Sequence, residues 1–300
     1  MGTNSTLTTE YDLQDSIVRS DRSEICFSTE GFVQQRWDGD PLFRSQLDQA
    51  ELNALDALSY QVCLLDIQSN SASNVQQKMY KAWSDYYEPM IKYIFEQHSF
   101  RAYTVVEHRR FVILAFDLLP AISRKEQLAK KELLHSVATK IEVLLNRDLG
   151  ENIKLHMAVS TSAKGIQHTT DCYEEASKAI LLQALCHTKV IFYDDLGAFQ
   201  ILLNLHEEGL LQTYVRRHLG PLLDEDRKKN SDLLKTLKIY LARDGSKQSV
   251  ADELHIVRQS LYYRLEKIKE LLGEDYMCTQ NRLALQLAIQ AYELLSCRAC

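Results

Sequence analysis

The sequence predicts an α/β domain followed by an all-α domain. Short apolar runs with β-propensity alternate with segments of helical periodicity up to about residue 197, whereas every later segment has helical periodicity. The chain has 300 residues, of which 45% are apolar and 25% charged, so its composition is ordinary for a globular protein and its length suits two domains. Disordered and low-complexity classes are thereby excluded for most of the chain.

The N-terminal part contains one predicted strand between predicted helices. Residues 1–29 lack a sustained apolar period, so we expect a flexible lead or the remnant of an upstream region. Residues 31–57 predict one or two short helices. The apolar run YQVCLLDI at 60–67 predicts a buried strand, and the polar stretch QSNSASN follows it. Apolar residues at three- and four-residue spacings then predict a helix over 75–98.

The remainder of the α/β domain, predicted over 30–197, alternates in the same way. A hairpin is predicted over 101–119, where two β-rich runs flank the polar centre Glu-His-Arg-Arg. A long helix is predicted over 124–147, with Leu128, Leu133, Ile141 and Leu145 as inward-facing candidates. The sheet of about five strands is completed by a strand over 153–161, a helix over 170–187 and a strand over 189–196.

The C-terminal part predicts a helical connector over 198–230 and a helix-turn-helix domain over 231–300. The first helix of this domain is predicted to begin at the N-cap Ser231 and to stop at Gly245. SKQSVADELHIV then predicts a short helix, and RQSLYYRLEKIKELLG predicts a longer, basic helix that ends at a glycine. Two helices joined by a turn of three or four residues, the second of them longer, are typical of a helix-turn-helix.

The second helix of this motif separates into two faces. Apolar residues at intervals of four, three and four form one buried stripe, which consists of Leu261, Leu265, Ile268 and Leu272. At 100° per residue, the residues that project away from the stripe are Gln259, Tyr262, Tyr263 and Glu266. Arg258 lies at the N-terminus, where a recognition helix first meets base edges. This arrangement suits a helix in the major groove of DNA.

The side chains opposite the stripe also have the chemistry for DNA. Arg258 can bond guanine through both arms of its guanidinium, and Gln259 can bond adenine. Arg264 and Lys267 lie on the flanks, where phosphates would be. Glu266 fits less well, because a carboxylate can only accept from cytosine or pair with a neighbouring Arg or Lys. Spacing alone leaves a helical bundle with a solvated charged face as a second interpretation.

The distribution of charge favours an anionic partner at the C-terminal end. Between Arg216 and Lys269 there are 13 Lys and Arg against 8 Asp and Glu, a net charge of +5. The whole chain carries −6, so the remainder must carry −11. A basic segment attached to an acidic body is typical of a protein that binds nucleic acid through that segment.

The sequence predicts a cytoplasmic protein that does not enter a membrane. It contains no run of eighteen apolar residues, and the polar, acidic N-terminus lacks the features of a signal peptide. The seven cysteines are scattered, without a CxxC or a Cys/His pair at zinc-finger spacing. Reduced thiols and no metal site are therefore expected.

A set of matching positions then connects residues 219–295 to a known family. These positions are Leu219-Gly220-Pro221-Leu222, Thr236-Leu237, Tyr240-Leu241, Leu254, Arg258, Leu261, Tyr263-Arg264-Leu265, Ile268 and Glu270-Leu271-Leu272-Gly273. With them the region resembles the C-terminal DNA-binding domain of the PucR/CdaR family of bacterial transcriptional regulators. The family's usual His-Arg-Asn-Thr stands here as Val257-Arg258-Gln259-Ser260, so the operator sequence is expected to differ from that of relatives. The candidate DNA-binding residues are Arg258, Gln259, Ser260, Tyr262, Tyr263, Arg264 and Lys267.

The preceding domain resembles the GGDEF-like, nucleotidyl-cyclase-type domain of the same family. Cyclases carry Gly-Gly-Asp/Glu-Glu-Phe at the hairpin turn, whereas this chain has Glu-His-Arg-Arg-Phe at 107–111. Both glycines that let a substrate approach the backbone are absent, and arginines replace the acidic pair. Asp66 matches one metal-binding Asp of a cyclase, but a single carboxylate does not hold two Mg²⁺ ions. We therefore expect no enzymatic activity, no catalytic residue, no cofactor and no bound metal.

The resemblance implies a sequence-specific transcriptional activator of a metabolite-utilisation operon, with residues 258–272 as the recognition helix in the major groove of double-stranded DNA. One helix-turn-helix makes too few contacts for a specific site, so a homodimer is expected. The family also implies a small-molecule effector.

The alternative function is a ligand-binding or protein-interaction module whose helix-turn-helix is vestigial and does not bind DNA. Val257 and Gln259, which differ from the family pattern, keep this interpretation open.

Overall fold

A computed structural model of the chain describes residues 54–69, 86–107, 110–119, 123–149, 153–183, 185, 188–229 and 231–296. The predicted lead over 1–29 lies outside these residues. So do most of the helical segment predicted over 31–57 and the first half of the helix predicted over 75–98.

A mixed sheet forms the centre of the first half of the chain. Its strands are β1 (Ser59–Ser69), β2 (Phe100–Glu107), β3 (Arg110–Asp117), β4 (Ile153–Val159), β5 (Ala163–Lys164) and β6 (Val190–Phe192). The strand order is β2-β3-β1-β4-β6, and the short β5 pairs with the start of β1. All pairs are antiparallel except β4 with β6. The predicted strand over 60–67 and the predicted hairpin are thereby confirmed.

Helices cover both faces of this sheet. They are α1 (Glu88–Glu96), α2 (Arg124–Leu149) and α3 (Thr169–Ile180). Successive β1 side chains alternate between the faces, so Leu65 packs with α1 and α2 while Leu64 packs with α3. Because both faces are covered, the centre of the strand, Val62–Leu65, is apolar at every position rather than alternating.

Two of the four inward candidates on α2 were predicted wrongly. Leu128 is 56% exposed and Leu133 is 39% exposed, whereas Ile141 and Leu145 are buried as predicted. The buried stripe on this helix consists of Leu134, Val137, Ala138, Ile141 and Leu145, at helical intervals. At 100° per residue, Leu133 is turned about 100° and Leu128 about 120° away from Leu134, so both lie outside this stripe.

Two later elements are shorter than predicted. The helix predicted over 170–187 ends at Ile180, and turns follow it. The strand predicted over 189–196 extends only over Val190–Phe192, and a 3₁₀ turn, Tyr193–Asp195, follows. Consecutive aspartates are poor strand residues, which accounts for the early end of β6.

The second half of the chain is helical, as predicted. Its helices are α4 (Ala198–Glu207), α5 (Leu211–Lys229), α6 (Leu233–Ala242), α7 (Lys247–Leu254), α8 (Arg258–Leu272) and α9 (Thr279–Ser296). One continuous apolar core contains buried residues of all six together with Ala179 and Ile180 of α3. A mixed α/β part is thus packed against a helical part. The finer GGDEF-like assignment stays a prediction.

The start of α6 differs from the expectation that Ser231 caps it. The carboxylate of Asp226, near the end of α5, accepts hydrogen bonds from the backbone N–H groups of Leu233 at 2.7 Å and Leu234 at 2.8 Å. Ser231 instead donates its hydroxyl to the same carboxylate at 2.7 Å. The N-cap prediction for Ser231 is therefore wrong, because a side chain from the preceding helix satisfies the free N–H groups.

Candidate nucleic-acid interface

Helices α7 and α8 are joined by a three-residue turn, His255-Ile256-Val257. His255 adopts a left-handed backbone conformation with φ 54° and ψ 41°, which ends α7. The Ile256 N–H donates to the Ala251 carbonyl oxygen at 3.1 Å, and Val257 takes the extended conformation of an N-cap residue at the start of α8. The turn has the length that the sequence predicts for a helix-turn-helix.

Helix α8 is anchored through the predicted stripe. Leu261, Leu265 and Ile268 are buried in the helical core together with Val250 and Ala251 of α7. Leu272, the last member of the stripe, is partly buried. This anchoring fixes which side of α8 faces outward.

The outward side of α8 presents the residues expected there. Tyr262 is 52% exposed and Tyr263 is 74% exposed. Arg258, Gln259 and Ser260, in the first turn, are exposed as well. The residues predicted to meet bases therefore share one accessible surface at the N-terminal end of α8, which we call the recognition surface.

Arg258 is held by the helix before it. Its Nη2 donates to Oε1 of Gln248 on α7. Gln248 in turn donates through Nε2 to both carboxylate oxygens of Asp252, at 2.8 Å and 2.9 Å. The guanidinium is thus oriented at the junction of the two helices while it stays accessible to solvent.

A second contact between the two helices joins Lys247 to Tyr262. The Nζ atom of Lys247 lies 4.5 Å from the centroid of the Tyr262 ring. At this distance an ammonium interacts with the negative face of the ring. The contact keeps a positive charge beside the recognition surface.

Arg264 and Lys267, predicted on the flanks of α8, have partners within the protein. Arg264 is partly buried, and its Nη1 donates to Thr236 Oγ1 of α6 at 3.1 Å. Lys267 donates to Glu270 Oε2 at 2.8 Å, and this hydrogen bond raises the pKa of Lys267. Each of the two side chains thus has a contact inside the protein.

The C-terminal half of α8 is the less suitable half for DNA. Glu266 and Glu270 are exposed there, and Glu274 follows the helix. Lys269 lies 3.2 Å from Glu274 and 4.0 Å from Glu266, so its charge is partly neutralised. These carboxylates make the C-terminal half less favourable for phosphates than the first turns of α8, and Lys267 is the cation of this half that was predicted to contact one.

Residues at the N-terminus of α7, which the sequence motif did not single out, adjoin the recognition surface. Ser246, Lys247 and Ser249 are exposed, and the two serine hydroxyls lie 2.9 Å apart. The free N–H groups of a helix N-terminus and a neighbouring lysine are suited to a phosphate. The signal was present in the sequence as Ser-Lys-Gln-Ser directly after Gly245, where a second helix begins.

Asp66, which sequence analysis compared with a metal-binding Asp of cyclases, lies beside a basic residue. Asp66 lies opposite Arg110 in the β1–β3 register, and Arg110 Nε is 3.4 Å from Asp66 Oδ1. Gln68 donates to the other oxygen at 3.2 Å. His108 and Arg109 of the hairpin turn lie outside the described residues. Within the part of the chain that the structure describes, no group of three or more His, Cys, Asp or Glu could hold a metal ion.

Comparison with known proteins identifies the C-terminal helices. Residues 233–291 match the PucR C-terminal helix-turn-helix domain. The proline-responsive transcriptional activator PutR of Bacillus subtilis is 30% identical over 95 residues, which cover 32% of this chain and 23% of PutR. The purine catabolism regulatory protein of Bacillus subtilis is 34% identical over 74 residues, which cover 25% of this chain and 14% of that protein.

These matches confirm the resemblance of the C-terminal region to PucR-type transcriptional regulators. The matched part spans less than a quarter of the length of either curated relative. A match to the crystal structure of a regulator of polyketide synthase expression from Bifidobacterium adolescentis covers 88% of this chain and 98% of that chain, at 14% identity and a TM-score of 0.31. Among the described residues, every helix is too short or too polar to cross a lipid bilayer.

Proposed function

We propose that the chain is a sequence-specific DNA-binding transcriptional regulator that inserts the N-terminal turns of α8 (Arg258–Leu272) into the major groove. One observation carries this proposal. The recognition surface is exposed on a helix whose opposite face is buried, within a region that matches a PucR-type helix-turn-helix domain. A helix placed in this way presents its first residues to base edges.

Base reading is assigned to the start of α8. Arg258 would bond guanine through two N–H groups, and Gln259 would bond adenine. Tyr262 and Tyr263 supply exposed rings that can contact thymine methyl groups, and Ser260 can bond either bases or phosphate.

Phosphate contacts are assigned to the surroundings of the recognition surface. Lys247 and the N-terminus of α7 would bind one phosphate. Lys267 would contact another after exchanging its hydrogen bond with Glu270. Arg264 can reach a phosphate only if it leaves Thr236, so we assign it first to positioning α8.

The proposed biological role is based on the regulators that the chain is similar to. We propose control of a metabolite-utilisation operon, since one relative is a proline-responsive activator and the other regulates purine catabolism. Activation rather than repression is proposed from the former. The family resemblance further suggests a homodimer on paired half-sites, a small-molecule effector, no catalytic activity and a cytoplasmic location where the operon is.

Selection of genomic DNA fragments by the purified chain tests the proposal. We expect enrichment of a few promoter fragments, loss of that enrichment in Arg258→Ala, and its retention in Arg147→Ala. Arg147 is a matched control because it is an exposed arginine on α2, in the α/β part of the chain. Fragments that Arg258→Ala recovers equally well, or no enrichment by a folded protein, would favour the module with a vestigial helix-turn-helix.

A further inference from the structure

A cleft of about 620 Å³ opens where β1 begins and β3 ends, away from the helix-turn-helix. Its lining includes Ser59 of β1, Asp117 of β3, and residues from α2, from β5 and from the 3₁₀ turn after β6. This volume falls within the range of roughly 300–1,000 Å³ that is usual for small-molecule sites. The lining is strongly charged, so a polar ligand would be required.

Four charged side chains in the cleft form two ion pairs with one another. Lys130 Nζ lies 2.6 Å from Asp117 Oδ2, and both side chains are largely buried. Ser59 donates its hydroxyl to the same carboxylate oxygen at 2.9 Å. Lys131 Nζ lies 2.5 Å from Asp195 Oδ1. These four charges already have partners within the cleft.

Three further charges in the lining have no such partner among the residues that the structure describes. Within the described ranges, no ion pair or side-chain hydrogen bond joins Arg124, Lys164 or Asp194 to another residue. Burial raises the pKa of the Asp194 carboxyl, while Lys131 lowers it and Asp195 raises it. Among the described residues, the cleft therefore offers a ligand two cations and one partly desolvated carboxylate that form no ion pair or side-chain hydrogen bond, with Lys131 near enough to lower the pKa of that carboxylate.

The unpaired carboxylate lies on the segment that leads into the helical part. Asp194 belongs to the turn Tyr193–Asp195, directly before α4. Gln200 of α4 donates to the Tyr193 carbonyl oxygen at 2.7 Å, and Leu196 is buried in the helical core. Arg124 and Lys164 belong instead to the sheet and its α2 helix. A ligand that binds all three would connect the sheet to the start of the helices.

We propose that this cleft binds an acidic amino acid, whose two carboxylates pair with Arg124 and Lys164 and whose ammonium pairs with Asp194. The ligand carries two negative charges and one positive charge, which complement the two unpaired cations and the unpaired carboxylate one for one. Bound ligand would hold the segment before α4 against the sheet. Its role as the effector rests on the proposed function, whereas binding itself does not.

Calorimetric titration of the full chain tests the ligand class. The probes are L-glutamate and L-aspartate, compared with glutarate, which lacks the ammonium, and 4-aminobutyrate, which lacks one carboxylate. We expect at least one acidic amino acid to bind about tenfold more tightly than either comparator, since each comparator leaves a charge of the cleft unpaired. No heat from either acidic amino acid, or equal binding of glutarate, would overturn the proposal.

Variants test the residue assignments. Arg124→Gln is expected to weaken binding by about tenfold, and Asp194→Asn is expected to remove the preference for glutamate over glutarate. Lys154→Gln is the control, since Lys154 is exposed on β4 outside the cleft. Thermal unfolding of each variant checks that it is folded. A preference that persists in Asp194→Asn would overturn the assignment of the ammonium.

A last measurement separates this proposal from the proposed function. The affinity for a selected DNA fragment is determined with and without saturating ligand. We expect the ligand to change that affinity. DNA binding without any amino-acid binding would overturn the cleft proposal and leave the DNA-binding function intact, and amino-acid binding with unchanged DNA affinity would overturn the effector role.

Discussion

Arg264 of α8 donates a 3.1 Å hydrogen bond from Nη1 to the fully buried Thr236 Oγ1 of α6. Its Nη2 lies 3.7 Å from Asp232 Oδ2, and 22% of the arginine side chain is exposed. The guanidinium therefore braces the recognition helix against the first helix of the domain. A position that spacing assigns to a phosphate contact is engaged inside the free protein.

Arg264→Lys is expected to lower the free energy of unfolding by about 1–2 kcal/mol, because an ammonium cannot reproduce the two directions of the guanidinium. Urea denaturation measures this, with Arg147→Lys on α2 as the matched control. Unchanged stability together with weaker binding to every DNA sequence would instead make Arg264 a phosphate contact.

Lys247→Ala is expected to weaken binding to all DNA sequences by a similar factor and to reduce the slope of log affinity against log salt by roughly one. Tyr262→Phe should leave the salt slope unchanged, because an aromatic ring still faces Lys247. Tyr262→Leu should weaken the cation–π contact that orients Lys247, because it removes that ring. Salt titrations with selected and random fragments measure the effect. A loss confined to the selected fragment would show that Lys247 contacts a base.

His255→Gly is expected to stabilise the protein by about 1 kcal/mol, since His255 has a positive φ of 54° that glycine adopts without steric cost. His255→Ala keeps the unfavourable geometry and serves as the control. Thermal unfolding of the three proteins measures the difference. A lower melting temperature for His255→Gly would mean that the imidazole stabilises the turn by more than the backbone costs.

Two histidines predict how stability depends on pH. Burial lowers the pKa of His156, and burial together with Arg217 lowers that of His218. The unfolded chain then binds protons at the ordinary histidine pKa of 6.5, above the folded-state values, so protonation favours unfolding. The stability contributed by the two neutral histidines is fully present above pH 6.5 and is lost as the pH falls below that value.

Melting temperatures at about pH 7.5 and about pH 5.5 check this expectation. The double variant His156→Gln/His218→Gln should lose less stability over this interval than the parent protein. An equal loss in both proteins would assign the pH dependence to other groups.

Local patterns predicted the elements that one strong period determines. The run at 60–67 is mostly apolar, with Val62–Leu65 at its centre, and forms β1, and the interval pattern of Leu261, Leu265 and Ile268 predicted the orientation of α8. In both cases one sequence period decides the burial of the whole element. The exposure of Tyr262 and Tyr263 followed from the same phase.

Contacts between elements determine the burial of α2, the cap of α6 and the hydrogen bond of Arg264, which local sequence patterns did not predict. Leu133 and Leu134 are adjacent and equally apolar, yet only Leu134 is in phase with Ile141 toward the sheet. The cap of α6 comes from Asp226, seven residues before Leu233, and no local capping rule finds it. The hydrogen bond between Arg264 and Thr236 also depends on two helices that are brought together by the core.

The affinity of Arg258→Ala for a selected fragment and for a random fragment of equal length tests the central claim most directly. If α8 reads bases, the variant should lose about 1–3 kcal/mol, or roughly 5- to 150-fold, on the selected fragment and little on the random one. Arg147→Ala should change neither affinity. An equal loss on both fragments, or no loss on either, would contradict base reading by Arg258.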